Sequence, residues 1–166
     1  MIIYSILKTA VVGDLLLVAD GGHLNGVYFA GCGHAPAVQP HWRPEPDHPV
    51  LRQAGVELQA YFTGRRTDFS VPRAAVGTAF QREIWRQIAL IPPGQTITYT
   101  ELARRSGAPR AVRAAGTATG RNPLSIIVPC HRVMGADGSL RGYAGGLDRK
   151  RLLLELEKRA DSERMS

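Results

Sequence analysis

The hydrophobic pattern changes period once along the chain, and that change limits the fold more than any single motif does. Within residues 1–31 the apolar residues fall in three short runs, 2–7, 15–19 and 24–29, separated by Val12-Gly13-Asp14 and Asp20-Gly21-Gly22. Runs of this length between Gly- and Asp-containing turns predict a small antiparallel sheet. Residues 32–48 hold four prolines and no periodicity, which predicts a surface loop. A helix should follow, with Asp47 as N-cap and Pro49 in the first turn. Leu51, Ala54, Leu58, Tyr61 and Phe62 then recur at helical spacing until Gly64 stops it.

The stretch 68–77 carries a proline and a glycine without helical period, so the boundary between two domains is expected there. This divides the chain into an N-terminal α/β domain (1–70), a linker (71–77) and a C-terminal domain (78–166). Beyond the linker the period is helical. Thr78 with Gln81 forms a capping box, and Phe80, Ile84, Trp85 and Ile88 make an apolar stripe that ends at Pro92-Pro93-Gly94. Tyr99 opens a short helix, Ser106-Gly107-Ala108 makes a turn, and Pro109 opens a second helix that runs to about Thr119, with Gly120 as its cap. Two short helices across a Gly-containing turn have helix-turn-helix spacing, which an ordinary helical corner shares. The fold class is therefore α+β, a small sheet with a helix followed by a mostly helical domain.

Among 166 residues, 21 Lys and Arg stand against 14 Asp and Glu, a formal charge of +7 that favours a polyanionic partner through counterion release. No uncharged apolar run approaches the roughly 18 residues a membrane helix needs, so a soluble cytoplasmic protein is expected. The second helix of the pair is rich in Ala, Gly and Thr, with Arg110 and Arg113 its long side chains. Small residues permit close backbone approach, which suits a minor groove with one arginine acting as a wedge; packing of the alanines against the first helix is the plainer explanation.

Two cysteines lie far apart, and a disulfide is not expected in a reducing compartment. Cys32 sits among scattered histidines whose spacing supports no metal site, and no metal or cofactor is assigned. Cys130 ends the β-branched run 126–128 behind Pro129, where a strand should give way to a loop. His131 and Arg132 follow it directly, an electropositive setting expected to lower the thiol pKa and favour the nucleophilic thiolate. A lone cysteine in an apolar strand is otherwise a small buried hydrophobe.

The block Asn122-Pro123 through Ile127-Val128-Pro129-Cys130-His131-Arg132-Val133 resembles the O6-alkylguanine-DNA alkyltransferases, or methylated-DNA–protein-cysteine methyltransferases. The resemblance extends to Ile91-Pro92-Pro93-Gly94, Thr98-Tyr99, Arg113-Ala114-Ala115-Gly116, Gly142-Tyr143-Ala144-Gly145-Gly146 and Leu153-Leu154-Glu155-Leu156-Glu157. It implies a ribonuclease-H-like N-terminal half, a winged-helix C-terminal domain with its wing at 135–141, and single-turnover transfer of an alkyl group from flipped O6-alkylguanine in double-stranded DNA to Cys130. Such a protein works as a monomer, without an obligate protein partner.

By that resemblance His131 takes the thiol proton through a water and Glu157 stabilises the imidazolium. Periodicity separately favours Glu157 over Glu155, since it lies in the apolar stripe of a helix expected over 147–159, while Glu155 lies between Arg151 and Arg159. The resemblance further implies that Arg113 fills the space left by the flipped base and that Tyr99 presses on its phosphate and bonds guanine N3. Ala111, Ala114 and Thr119 belong to the DNA-facing helix, and Asn122 fixes the turn before the cysteine. The carbonyls of Cys130 and Val133, with Tyr143, Ala144 and Thr119, would line the base pocket. Three other readings stand beside this one: a lesion sensor that binds without transfer, a helix-turn-helix regulator, and a Cys-His-Glu hydrolase, which would need an oxyanion hole the sequence does not identify.

Overall fold

The computed structural model describes residues 1–32, 34–139 and 142–165. Its contacts separate into two compact units, Met1–Ala75 with Pro123–Ser125, and Val76–Asn122 with Ile126–Ser166.

In the first unit, β1 (Ile2–Leu7), β2 (Leu15–Asp20) and β3 (His23–Phe29) form the expected antiparallel meander. The first five residues of β2 are all buried, so this central strand is covered on both faces and reads as a continuous apolar run. Gly21 and Gly22 carry positive φ in the turn between β2 and β3, a conformation that favours glycine. Two features depart from expectation. Residues 43–44, placed in a surface loop by the prolines, form β4 (Arg43–Pro44), which pairs parallel to β1 and completes the order β3-β2-β1-β4. A proline is tolerated there because β4 is an edge strand.

Helix α1 (Pro49–Phe62) is capped by His48, whose side chain accepts from the Val50 N–H, and not by Asp47. Pro49 occupies the first helical position and forces its predecessor into extended backbone, which puts the cap on His48. Leu51, Ala54, Leu58, Tyr61 and Phe62 are buried, as the spacing predicts. The stretch read as a linker is partly anchored: Leu24 N–H donates to the Pro72 carbonyl and Ala74 N–H to the Leu24 carbonyl. Glu57 of α1 holds its start, accepting from the Ser70 and Val71 N–H groups at 2.9 and 3.1 Å.

The second unit begins with α2 (Ala79–Ala89), closed by the Thr78–Gln81 capping box. Ile84, Trp85 and Ile88 are buried, but Phe80 is 36% exposed. Helical side chains lean toward the N-terminus, and the Trp85 ring reaches back against Gly77. Helix α3 (Tyr99–Arg105) is capped by Thr98 and followed by a turn in which Gly107 has φ 77°. Helix α4 (Val112–Gly120) starts three residues later than Pro109 suggested, because the chain first closes a turn from Ala111 N–H to the Ala108 carbonyl. Gly120 is its last helical residue, not its cap.

The β-branched run ahead of Cys130 does not form a strand. Ile126 sits at φ 73°, and Cys130 opens a single 3-10 turn, Cys130–Arg132. The positive φ at Ile126 breaks the extended run that β-branching favours. After it β6 (Val133–Met134) pairs parallel to β5 (Ile97–Thr98). Gly135, Gly138 and Ser139 close a tight turn where the wing was expected; the rest of that segment, 140–141, lies outside the described residues. Helix α5 (Leu147–Met165) continues past the expected end at 159. Among the described residues no helix is long and apolar enough to cross a membrane.

Candidate active site

Every residue of the candidate site belongs to the second unit. Its centre is the 3-10 turn. Asn122, just past the end of α4, turns its amide inward and donates to the Val128 carbonyl at 2.8 Å and to Cys130 Sγ at 3.2 Å. The thiol is 5% exposed. Burial pushes its pKa above the ordinary cysteine value, opposed by the Asn122 hydrogen bond and by the charge of Lys150. The expected electropositive lowering is thus overturned in the resting protein. Arg132 fails to provide it because its guanidinium is turned to Glu157.

His131 is fully buried. Its Nε2 lies 2.8 Å from Glu157 Oε2, while Nδ1 has no hydrogen-bond partner among the described residues. Tyr143 packs edge-on against the imidazole at 6.4 Å. Burial pushes the His131 pKa down, and the charges of Arg132 and Lys150 add to this, against the pull of Glu157. Glu157 is 2% exposed, and Glu155 is exposed, as periodicity indicated. Burial opposes ionisation of Glu157, but hydrogen bonds from His131 and Arg132 outweigh it and hold the carboxyl well below the usual range.

Two cations of this cluster take parts that sequence reasoning does not assign: it gives Arg132 only as an electropositive neighbour of the thiol and does not single out Lys150. Arg132 forms a fork with Glu157, Nε to Oε1 at 2.8 Å and Nη2 to Oε2 at 2.6 Å, and its Nη1 donates to the Ile91 carbonyl at 2.5 Å. Nothing in the sequence distinguishes this inward arginine from a surface one. Lys150 is fully buried and donates to the Val133 carbonyl at 2.7 Å. Burial lowers its pKa to about 8. Its signal was available: Lys150, Leu153 and Glu157 lie three and four residues apart, on one face of α5. The Val133 carbonyl, expected to meet the guanine amine, thus already accepts one bond.

The helix pair presents a different surface. Arg113 and Ala114 are exposed on α4, Ala111 is half-buried at its N-cap, and Tyr99 at the start of α3 lies with its ring 3.8 Å from a Cβ built on Gly116. Arg110, just ahead of α4, is exposed as well. Thr119 departs from the expected DNA-facing set: it is buried, and its hydroxyl donates to the Ala115 carbonyl at 2.7 Å. Tyr143 and Ala144 are half-buried in the turn before α5. Among the described residues no cluster of three or more His, Cys, Asp or Glu could hold a metal ion.

The chain is similar to known proteins over most of its length. Residues 79–159 match the model of the 6-O-methylguanine DNA methyltransferase DNA-binding domain, and residues 2–74 that of its ribonuclease-like domain. A methylated-DNA–protein-cysteine methyltransferase of Mycobacterium tuberculosis is 46% identical over 147 residues, 89% of this chain and 87% of the relative. One from Haemophilus influenzae is 44% identical over 148 residues, 89% of this chain and 82% of the relative. The crystal structure of M. tuberculosis OGT in complex with DNA superposes with a TM-score of 0.87 at 42% identity, covering 95% and 94% of the two chains.

Proposed function

Because the chain belongs to the 6-O-methylguanine DNA methyltransferase family, we propose that it repairs DNA by moving the alkyl group of O6-alkylguanine onto Cys130, once per molecule. The observation that carries this reading is the buried line from Asn122 through Cys130 to His131 and Glu157, in which a hydrogen-bonded thiol is followed directly by an imidazole oriented by a carboxylate. It sets a nucleophile next in the chain to a base that its carboxylate orients, so that the bound substrate and a bridging water supply the activation.

A base stacked in a duplex cannot present its O6 substituent to a buried thiol, so the nucleotide rotates out at a cost of a few kcal/mol. Arg113, exposed on α4, takes the vacated space, and the small residues Ala111 and Ala114 let the helix approach the minor groove. Tyr99 steadies the flipped nucleotide and donates to guanine N3. Tyr143, Ala144, Thr119 and Val133 line the pocket, with the carbonyls of Cys130 and Val133 facing the guanine amine. Asn122 fixes the turn that aims the sulfur.

His131, with Nε2 held by Glu157, takes the Cys130 proton at Nδ1 through a water. The thiolate attacks the alkyl carbon in line, the carbon–O6 bond breaks, and the leaving guanine takes a proton through Tyr99 and water while His131 gives up the proton it took, so the protons balance. The resulting thioether has no route back to a thiol, so turnover ends there. The protein acts as a monomer in the cytoplasm, where both cysteines stay reduced.

Intact-mass spectrometry tests the proposal, after incubation with duplex DNA containing O6-methylguanine. The wild type should gain one methylene equivalent, saturating at one per protein and mapping to Cys130, and Cys130→Ser should gain none. Lesion binding without mass change would replace transfer by sensing.

A further inference from the structure

Arg132 and His131 compete for the single charge of Glu157. Arg132 takes both carboxylate oxygens, and its third contact, to the Ile91 carbonyl, prevents the guanidinium from swinging away. His131 shares Oε2 with it. The guanidinium is charged at every accessible pH, so it is the permanent counter-ion of Glu157. Lys150 contributes a second buried cation to the same cluster.

The groups facing His131 are therefore Cys130 and Arg132 on its own turn, Glu157 and Lys150 on α5, and the neutral Tyr143 ring ahead of α5. Among the described residues one carboxylate already stands against two cations. A proton taken by His131 from solvent would add a further uncompensated positive charge in a buried place, which is costly. A proton passed from Cys130 to His131 leaves the total charge of the cluster unchanged. The arrangement thus opposes uptake of a proton from solvent while permitting internal transfer.

We propose that Arg132 is a positioning residue that keeps His131 neutral, and so able to receive the Cys130 proton, by occupying both oxygens of the Glu157 carboxylate. The inference rests on the alkyl-transfer reading for its purpose but not for its measurement. Without Arg132, Glu157 becomes an undivided partner for an imidazolium. The base would then be filled before substrate arrives.

The test is an NMR titration of the His131 ring in the full chain without DNA, alongside single-turnover transfer rates against pH. Wild-type His131 should be neutral at about pH 7. Arg132→Met should move its midpoint upward by about one unit or more, the usual effect of a close, uncontested carboxylate. The acid limb of the transfer rate should move up with it. Arg132→Lys, with one charge but no fork, should fall between the two. If Arg132→Met does not fold, the Arg132→Lys shift alone decides. A charged wild-type imidazole at neutral pH, or folded variants with an unmoved midpoint, overturns the proposal. Failure of the wild type to transfer any alkyl group would instead remove the functional reading and leave the titration result standing.

Discussion

Glu57 on α1 and Glu157 on α5 are buried to nearly the same degree, 4% and 2% exposed, yet their donors differ in kind. Glu57 accepts from Gln53, from the Ser70 hydroxyl and from two backbone N–H groups, with Arg66 at 3.5 Å. Most of these donors never change protonation, and the bonds staple residues 70–71 to the helix. Glu157 accepts from an arginine and from a histidine that sits beside a thiol. A buried carboxylate is thus a fastener or part of a proton path according to whether its donors can titrate.

Glutamine at each position separates the two roles. Glu157→Gln should slow single-turnover transfer by on the order of a hundredfold, the lower end of what a proton-transfer apparatus contributes. Equal rates in wild type and variant would make Glu157 a fastener too. Glu57→Gln should leave that rate intact and lower stability by about 1–3 kcal/mol, since charged hydrogen bonds to backbone N–H groups are weakened. Denaturant unfolding measures it, and a slowed transfer in Glu57→Gln would collapse the distinction.

Acid should sharpen the contrast further. The native His131 pKa is depressed by burial, so below an unfolded value of about 6.5 the unfolded chain binds a proton that the native protein refuses, and stability falls. Both glutamates are depressed as well, so the stability they contribute is full above about pH 4.3 and lost as pH falls through and below that value. Melting temperature should therefore drop in two stages on acidification. Replacing Glu157 should remove part of the lower stage, and a melting temperature flat from neutral pH to about 5 would contradict the neutral, buried imidazole.

The two carboxylates were unequally legible. Glu157 stood out over Glu155 because a glutamate within an apolar helical stripe is anomalous, and the family resemblance supplied its partner, His131. Glu57 carried no such signal, since its donors come from residues 70–71, where no pattern announces a hydrogen bond. The same limit hid the inward turn of Arg132, whose carboxylate and carbonyl partners lie 25 and 41 residues away, whereas the helical spacing of Lys150 with Leu153 and Glu157 was legible. Local chemistry misled in several places: proline at 49 moved the cap from Asp47 to His48, Phe80 of the apolar stripe stayed half-exposed, and a positive φ at Ile126 broke the strand that β-branching favours.

Periodicity, turn residues and one reactive block therefore determined by themselves the three-stranded meander, the capping box of α2, the helix pair and the cysteine with its histidine. These depend on neighbours in sequence, through backbone preference and side-chain spacing. Only the tertiary structure decided which charges meet. It folded Arg132 inward, buried Lys150, raised the thiol instead of lowering it, and divided Glu157 between a fixed cation and a titratable one. Burial multiplies the strength of such encounters, and burial is set by how distant segments pack.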